Sequence, residues 1–141
     1  MNIMNLTMRC IKEIIIHCSD TEEGRDFSVA DIDLWHRKRG WRCVGYHYVV
    51  YLDGTVAYGR KPTEIGAHCR GHNADSIGIC YIGGRRRGEY ADTRTPQQKE
   101  ALLRLLSNLK KIYPNAKIYG HRDFAPKACP CFDARAEYSE L

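Results

Sequence analysis

No stretch of this 141-residue chain approaches the ~18 consecutive apolar residues that a membrane-crossing helix needs. The longest charge-free apolar stretch, Cys43 to Leu52, is interrupted by His47. The first ten residues, MNIMNLTMRC, lack the apolar core of a secretory signal, so the expectation is synthesis in the cytoplasm without an export signal. There is no internal repeat, low-complexity tract or linker. No helix-turn-helix, zinc-finger or RNP pattern accompanies the basic residues, which argues against a nucleic-acid partner. The cysteines number 7, an odd count that excludes a complete internal disulfide framework. Without an export signal these thiols are expected to be reduced. Cys43 and Cys80 lie in apolar surroundings and read as small buried hydrophobes.

What is present is ordinary for a folded domain. Hydrophobic residues make up 43% and charged residues 28%, values that exclude a disordered chain. The length is that of one domain spanning residues 1–141. The net charge of +5 is mildly basic, and Arg85-Arg86-Arg87 reads as a solvated loop.

Periodicity and punctuation give an alternating pattern. IKEIIIHC at 11–18 reads as a short buried strand and CSDTEEGRDF as the loop after it. Ser28 and Asp31 cap a helix whose Val29, Ile32, Trp35 and His36 repeat at helical spacing up to Arg39. YHYVVYL at 46–52 is a second strand, and Asp53-Gly54 turns it into the returning TVAYG. Residues 61–75 read as loop, 76–83 as strand and 84–94 as charged loop. Thr95, Pro96 and Gln98 start a helix with the apolar stripe Leu102, Leu105, Leu106, Leu109 and Ile112. AKIYG is a further strand, 121–131 a loop, and FDARAEYSEL a short helix. The expected fold class is α/β, a central mixed β-sheet flanked by α-helices.

The polar residues at strand ends carry the chemistry. His17 closes the run Ile14-Ile15-Ile16, His121 follows the strand at 117–119, and Cys129 lies in the loop beyond. At one edge of a sheet these three donors would form a tetrahedral zinc site with one position left for water. Each histidine read alone is more often a hydrogen-bonded structural residue.

Five blocks add a resemblance. HCSDT at 17–21, LWHRKRGW at 34–41, VGYHYVVYLDGTVAYGR at 44–60, GAHCRGHNADSIGICYIGG at 66–84 and GHRDFAPKACPCFD at 120–133 together resemble the zinc-dependent N-acetylmuramoyl-L-alanine amidases of the type 2 family. The likeness is greatest to the short amidase-type lysozymes of T-odd phages, with peptidoglycan recognition proteins further off. It implies one Zn2+ held by His17, His121 and Cys129, with Tyr46 beside the metal water and Lys127 required for activity. It also implies that His68 and Asn73 line the substrate groove. The reaction implied is hydrolysis of the amide joining the lactyl group of N-acetylmuramic acid to L-alanine of the stem peptide. No glycosidic bond is at issue, since no pair of opposed carboxylates is placed for its cleavage.

The alternatives are a peptidoglycan-binding protein, or a regulator of a phage-type RNA polymerase through residues 1–10, neither with turnover. The expected partner is peptidoglycan, reached by a monomer after release through a pore or another route. Where other members of the family place an acidic residue for proton transfer, this chain offers Tyr46. Cys131 departs from the phage pattern and offers a second thiol, either a replacement for Cys129 or a partner for a nearby thiol. His36, His47 and His72 are expected not to be ligands, with His47 on the face opposite Tyr46. Trp35 and Trp41 are read as packing residues.

Overall fold

The computed structural model describes residues 9–141. The five-stranded sheet has the order β4-β3-β5-β1-β8. Its strands are β1 (Glu13–Cys18), β3 (Tyr48–Val50), β4 (Val56–Tyr58), β5 (Ser76–Tyr81) and β8 (Lys117–Gly120). β1 runs parallel to β5 and β8, β3 parallel to β5, and only the β3–β4 hairpin is antiparallel. β1 is an interior strand, flanked by β5 and β8, and Ile14, Ile15 and Ile16 are all fully buried. That explains a strand written as a continuous apolar run rather than an alternating one.

The two faces are covered by different helices. Ile14, Ile16, Val50, Ile77 and Ile79 pack against Leu102, Leu106 and Leu109 of the helix α2 (Pro96–Ile112). Val49 and Ile82 pack with Ile32 of the helix α1 (Val29–Lys38). Both helices open with the expected reciprocal capping box, Ser28 with Asp31 and Thr95 with Gln98. A third helix, α3 (Ala134–Glu137), closes the chain. The expected stripe of α2 needs one correction: Ile112, the last residue of the helix, is 65% exposed.

Gln98 does more than cap. It is fully buried, and its amide nitrogen donates to the carbonyls of Val50 at 3.3 Å and Ile82 at 2.9 Å. One side chain thereby satisfies carbonyl groups where two strands end beneath the helix. Gln98→Leu is expected to lower unfolding free energy by about 2 kcal/mol in urea titration, since it strips the Ile82 carbonyl of its donor and removes the Gln98 half of the capping box, while the Val50 carbonyl keeps the Ile82 N–H.

The segment at 84–94 is not a simple loop. It holds β6 (Gly84–Arg86) and β7 (Glu89–Tyr90), which with β2 (Thr21–Glu22) form a separate three-stranded sheet. Arg87 and Gly88, both at positive φ, make the turn. Arg85 pairs with Asp20 at 2.6 Å and Arg86 with Glu23 at 3.0 Å, so two of the three arginines are partnered. Strands of two or three polar residues carry no apolar alternation, which is why the sequence conceals them.

Candidate metal centre and groove

His17 is the penultimate residue of β1, and it is 1% exposed. His121 opens a 3-10 turn directly after β8, the strand beside β1. Cys129 lies in the following loop, which is tied back at three points. The Arg122 N–H donates to the Cys129 carbonyl at 2.7 Å. The Tyr81 hydroxyl donates to the Pro130 carbonyl at 2.6 Å. The Cys18 N–H donates to Cys129 Sγ at 3.2 Å. Gly120 is needed here, since a Cβ at that position would lie 2.7 Å from Pro130 Cδ. The result is that one ligand atom each from His17, His121 and Cys129 lies within 4.8 Å of the others. Two imidazoles and a thiol around a common point suit a four-coordinate metal with one position facing the groove.

The electrostatics agree with a set of neutral nitrogen donors. Burial pushes the His17 pKa well below the usual histidine value, helped by His68, His121 and Lys127. His121 is lowered by burial and then by Lys127. The Tyr46 ring lies 5.1 Å from that of His17, and burial followed by nearby thiols raises its phenol well above the usual range. Tyr46 therefore stays protonated at neutral pH.

The groove above the three residues has two lobes. One, about 410 Å³, is bordered by Asp20, Arg39, Tyr46 and Tyr90. The other, about 560 Å³, is bordered by Arg70, Asn73 and Phe124. Trp41, His68, His121 and Lys127 line both, so they mark where the lobes meet. Trp41 was read as packing from its position at a helix end. It does pack on His36, with ring centroids 4.5 Å apart, yet it also walls both lobes. Trp35 likewise borders the first lobe. Tyr90 belongs to the small sheet that the sequence conceals, so no local pattern marked it.

His68 and Asn73 sit differently from a simple groove lining. His68 Nδ1 is 2.8 Å from His17 Nε2, and His68 Nε2 is 3.0 Å from Ser76 Oγ. Both ring nitrogens are thus engaged inside the protein. Asn73 Oδ1 accepts the N–H groups of His68 and Cys69, each at 2.9 Å, which leaves its amide nitrogen for the second lobe.

The remaining histidines are not in the cluster. His36 Nδ1 accepts the Gly45 N–H at 2.9 Å, and His47 Nδ1 accepts the Gly78 N–H at 3.0 Å. His72 pairs with Glu13 at 2.8 Å. His47 is structural, but the reason given from sequence needs correcting. β3 begins at Tyr48, so strand alternation does not apply at 46–47. Both rings approach His68, at 6.5 Å for Tyr46 and 5.9 Å for His47.

Cys131, at φ 70°, turns its thiol away to lie 3.9 Å from Cys18 Sγ. It thus meets the neighbouring thiol rather than taking the place of Cys129. The expected polymerase contact falls, for residues 1–8, outside the described residues. Among the described residues no helix is long and apolar enough to cross a membrane.

Comparison with known proteins accords with this geometry. Residues 7–132 match the N-acetylmuramoyl-L-alanine amidase family. The endolysin of Enterobacteria phage K11 is 43% identical over 122 residues, covering 86% of this chain and 81% of that protein. The endolysin of Escherichia phage T7 is 41% identical over 123 residues, covering 86% and 82%. Among solved structures, the N-acetylmuramoyl-L-alanine amidase LysC of Clostridium intestinale URNW superposes with TM-score 0.78 at 30% identity, covering 92% of this chain and 82% of that one. Drosophila PGRP-LB superposes with TM-score 0.79 at 27% identity, covering 95% and 82%. A family match over most of the chain, endolysin relatives above two-fifths identity and a shared fold lead to one conclusion: the chain belongs to the N-acetylmuramoyl-L-alanine amidase family and is an amide hydrolase of that kind.

Proposed function

We propose that this protein is a zinc-dependent endolysin that cuts the amide between the lactyl group of N-acetylmuramic acid and L-alanine. The observation that carries this reading is the convergence of His17, His121 and Cys129 in the first lobe, with His121 also bordering the second. A two-lobed groove suits a substrate that extends from the scissile bond in two directions, glycan on one side and peptide on the other. Zinc held there would acidify a bound water and polarise the scissile carbonyl.

The chain's own groups supply the rest. Lys127, lining both lobes, places a cation beside the point where the amide oxygen gains negative charge. Tyr46, kept protonated by burial, offers a phenolic hydrogen bond to an oxygen at the same point. Asn73 turns its free amide nitrogen toward the substrate in the second lobe. The protein works as a monomer on cell-wall peptidoglycan after release from the cytoplasm, in keeping with the endolysins it resembles. Intact ligand, phenol and lysine positions favour turnover over binding alone.

Digestion of purified peptidoglycan, with products read by mass spectrometry, tests the reading. Stem peptides with a free L-alanine amine should appear, vanish on chelation and return with zinc. Wall material that is bound at full zinc occupancy but left uncut would overturn it.

A further inference from the structure

His68 is held more tightly than a groove lining requires. Its backbone N–H is fixed by Asn73 Oδ1. Its ring lies against two glycines. A Cβ on Gly78 would sit 2.6 Å from its Cγ and Cδ2, and one on Gly66 would sit 2.7 Å from its Cδ2. Ser76, fully buried, meets its Nε2 at 3.0 Å. The residues that seat this one imidazole all fall within a single block of sequence, 66–78. The outcome of that seating is a 2.8 Å contact between His68 Nδ1 and His17 Nε2, in a buried position.

We infer that Ser76 and His68 form a hydrogen-bond relay that fixes the tautomer of His17, making His68 a positioning residue for the metal ligand. Two neutral imidazoles 2.8 Å apart share one proton. With that proton on His17 Nε2, His68 Nδ1 accepts it, and His68 must carry its own proton on Nε2. That proton points at Ser76 Oγ, which can accept it. His17 Nδ1 is then left as a lone pair, the form a metal requires. The opposite arrangement puts a proton on His17 Nδ1 and closes the site to metal. Gly66 and Gly78 belong to the relay because any side chain there would displace the His68 ring. The inference rests on the metal-dependent reading above, but it can be measured without substrate.

Two measurements on the folded protein decide it. Long-range 15N–1H NMR of the zinc-free protein should show both His17 and His68 as the Nε2–H tautomer. Ser76→Ala should turn His68 into a tautomer mixture. In competition with a chromophoric chelator, His68→Leu should weaken zinc binding by roughly 10–100-fold. His68→Asn should recover most of the loss, because its Oδ1 can accept from His17 Nε2, whereas a purely space-filling role would not separate the two variants. Should His68→Leu fail to fold, Ser76→Ala and His68→Asn still carry the test. A zinc-free His17 protonated on Nδ1, or equal zinc affinity in folded His68→Leu and wild type, would overturn the relay. Absence of hydrolysis by the wild type would overturn the proposed function and leave the relay standing.

Discussion

Cys129→Ser and His121→Ala are each expected to cut amide hydrolysis by about three orders of magnitude or more, roughly 4 kcal/mol of barrier, without unfolding the domain. The fold should survive because both side chains are only partly buried and sit in loops beyond the sheet. The buried strands and α2 do not depend on either. The loss should be accompanied by loss of metal, read by elemental analysis after dialysis. Lys127→Ala gives the contrast. It should keep its metal and lose about 10²–10³ in kcat, as expected for one group opposing developing negative charge. If Cys129→Ser kept wild-type turnover, the metal centre would have to be built from other residues. If Lys127→Ala lost metal as well as turnover, its role would be to support the ligands, not to meet the substrate.

Much of this site was legible in the sequence for a simple reason. His17 and His121 lie at or just beyond the ends of strands whose own signals are strong, whereas Cys129 sits in a loop and is marked only by the resemblance of the block 120–133. A run of three isoleucines predicts a central strand, and a strand end is a fixed place. The capping boxes at Ser28 and Thr95 located two helices for the same reason, since a cap is a local bond that tertiary packing does not override. What escaped was whatever depends on contacts distant in sequence. The small sheet is held by charge pairs more than sixty positions apart, such as Arg86 with Glu23, so no window of sequence contains it. Trp41 could be seen to pack but not to wall two lobes, because the second lobe is formed by residues 67–73 and 121–127. His68 was legible as part of the site and illegible in its contacts. The block 66–78 shows a histidine between glycines, but only the β1–β5 register brings Gly78 opposite Ile15 and so sets His68 beside His17.

The same burial that supplies neutral donors makes the domain sensitive to acid. His36 and His47 together are expected to cost the domain about 4–5 kcal/mol of stability between pH 6.5 and pH 4, which is much of what a domain of this size has. His36 and His47 carry the argument, because neither is a metal ligand. Burial lowers each to about 4, from an unfolded value near 6.5. The folded pKa is the lower one, so between these values the unfolded chain binds more protons. The contribution of this pair is therefore complete above pH 6.5, falls as pH drops through the window, and levels off below about 4. A single histidine has a limiting slope of about 1.4 kcal/mol per pH unit. His36 borders the groove, so we discount its share and expect about 2 kcal/mol per unit for the pair. The local cause is a conflict of donors. Each ring uses Nδ1 to accept a backbone N–H, from Gly45 for His36 and from Gly78 for His47. Protonation of that nitrogen sets N–H against N–H at a buried position. Urea titrations across pH 4–7.5 measure the slope. His47→Asn, which keeps an acceptor oxygen but cannot take up the proton, should remove about half of it. A flat profile in the wild type would show that both rings stay solvated enough to titrate normally. Glu137, held down by its hydrogen bonds to Arg94, adds its own loss only as pH falls further, below the ordinary carboxylate range. The contributions of the His36–His47 pair and of Glu137 therefore fall mostly in different parts of the pH axis. The first of them arises where Gly78 N–H meets His47, on the same glycine whose missing side chain leaves room for His68.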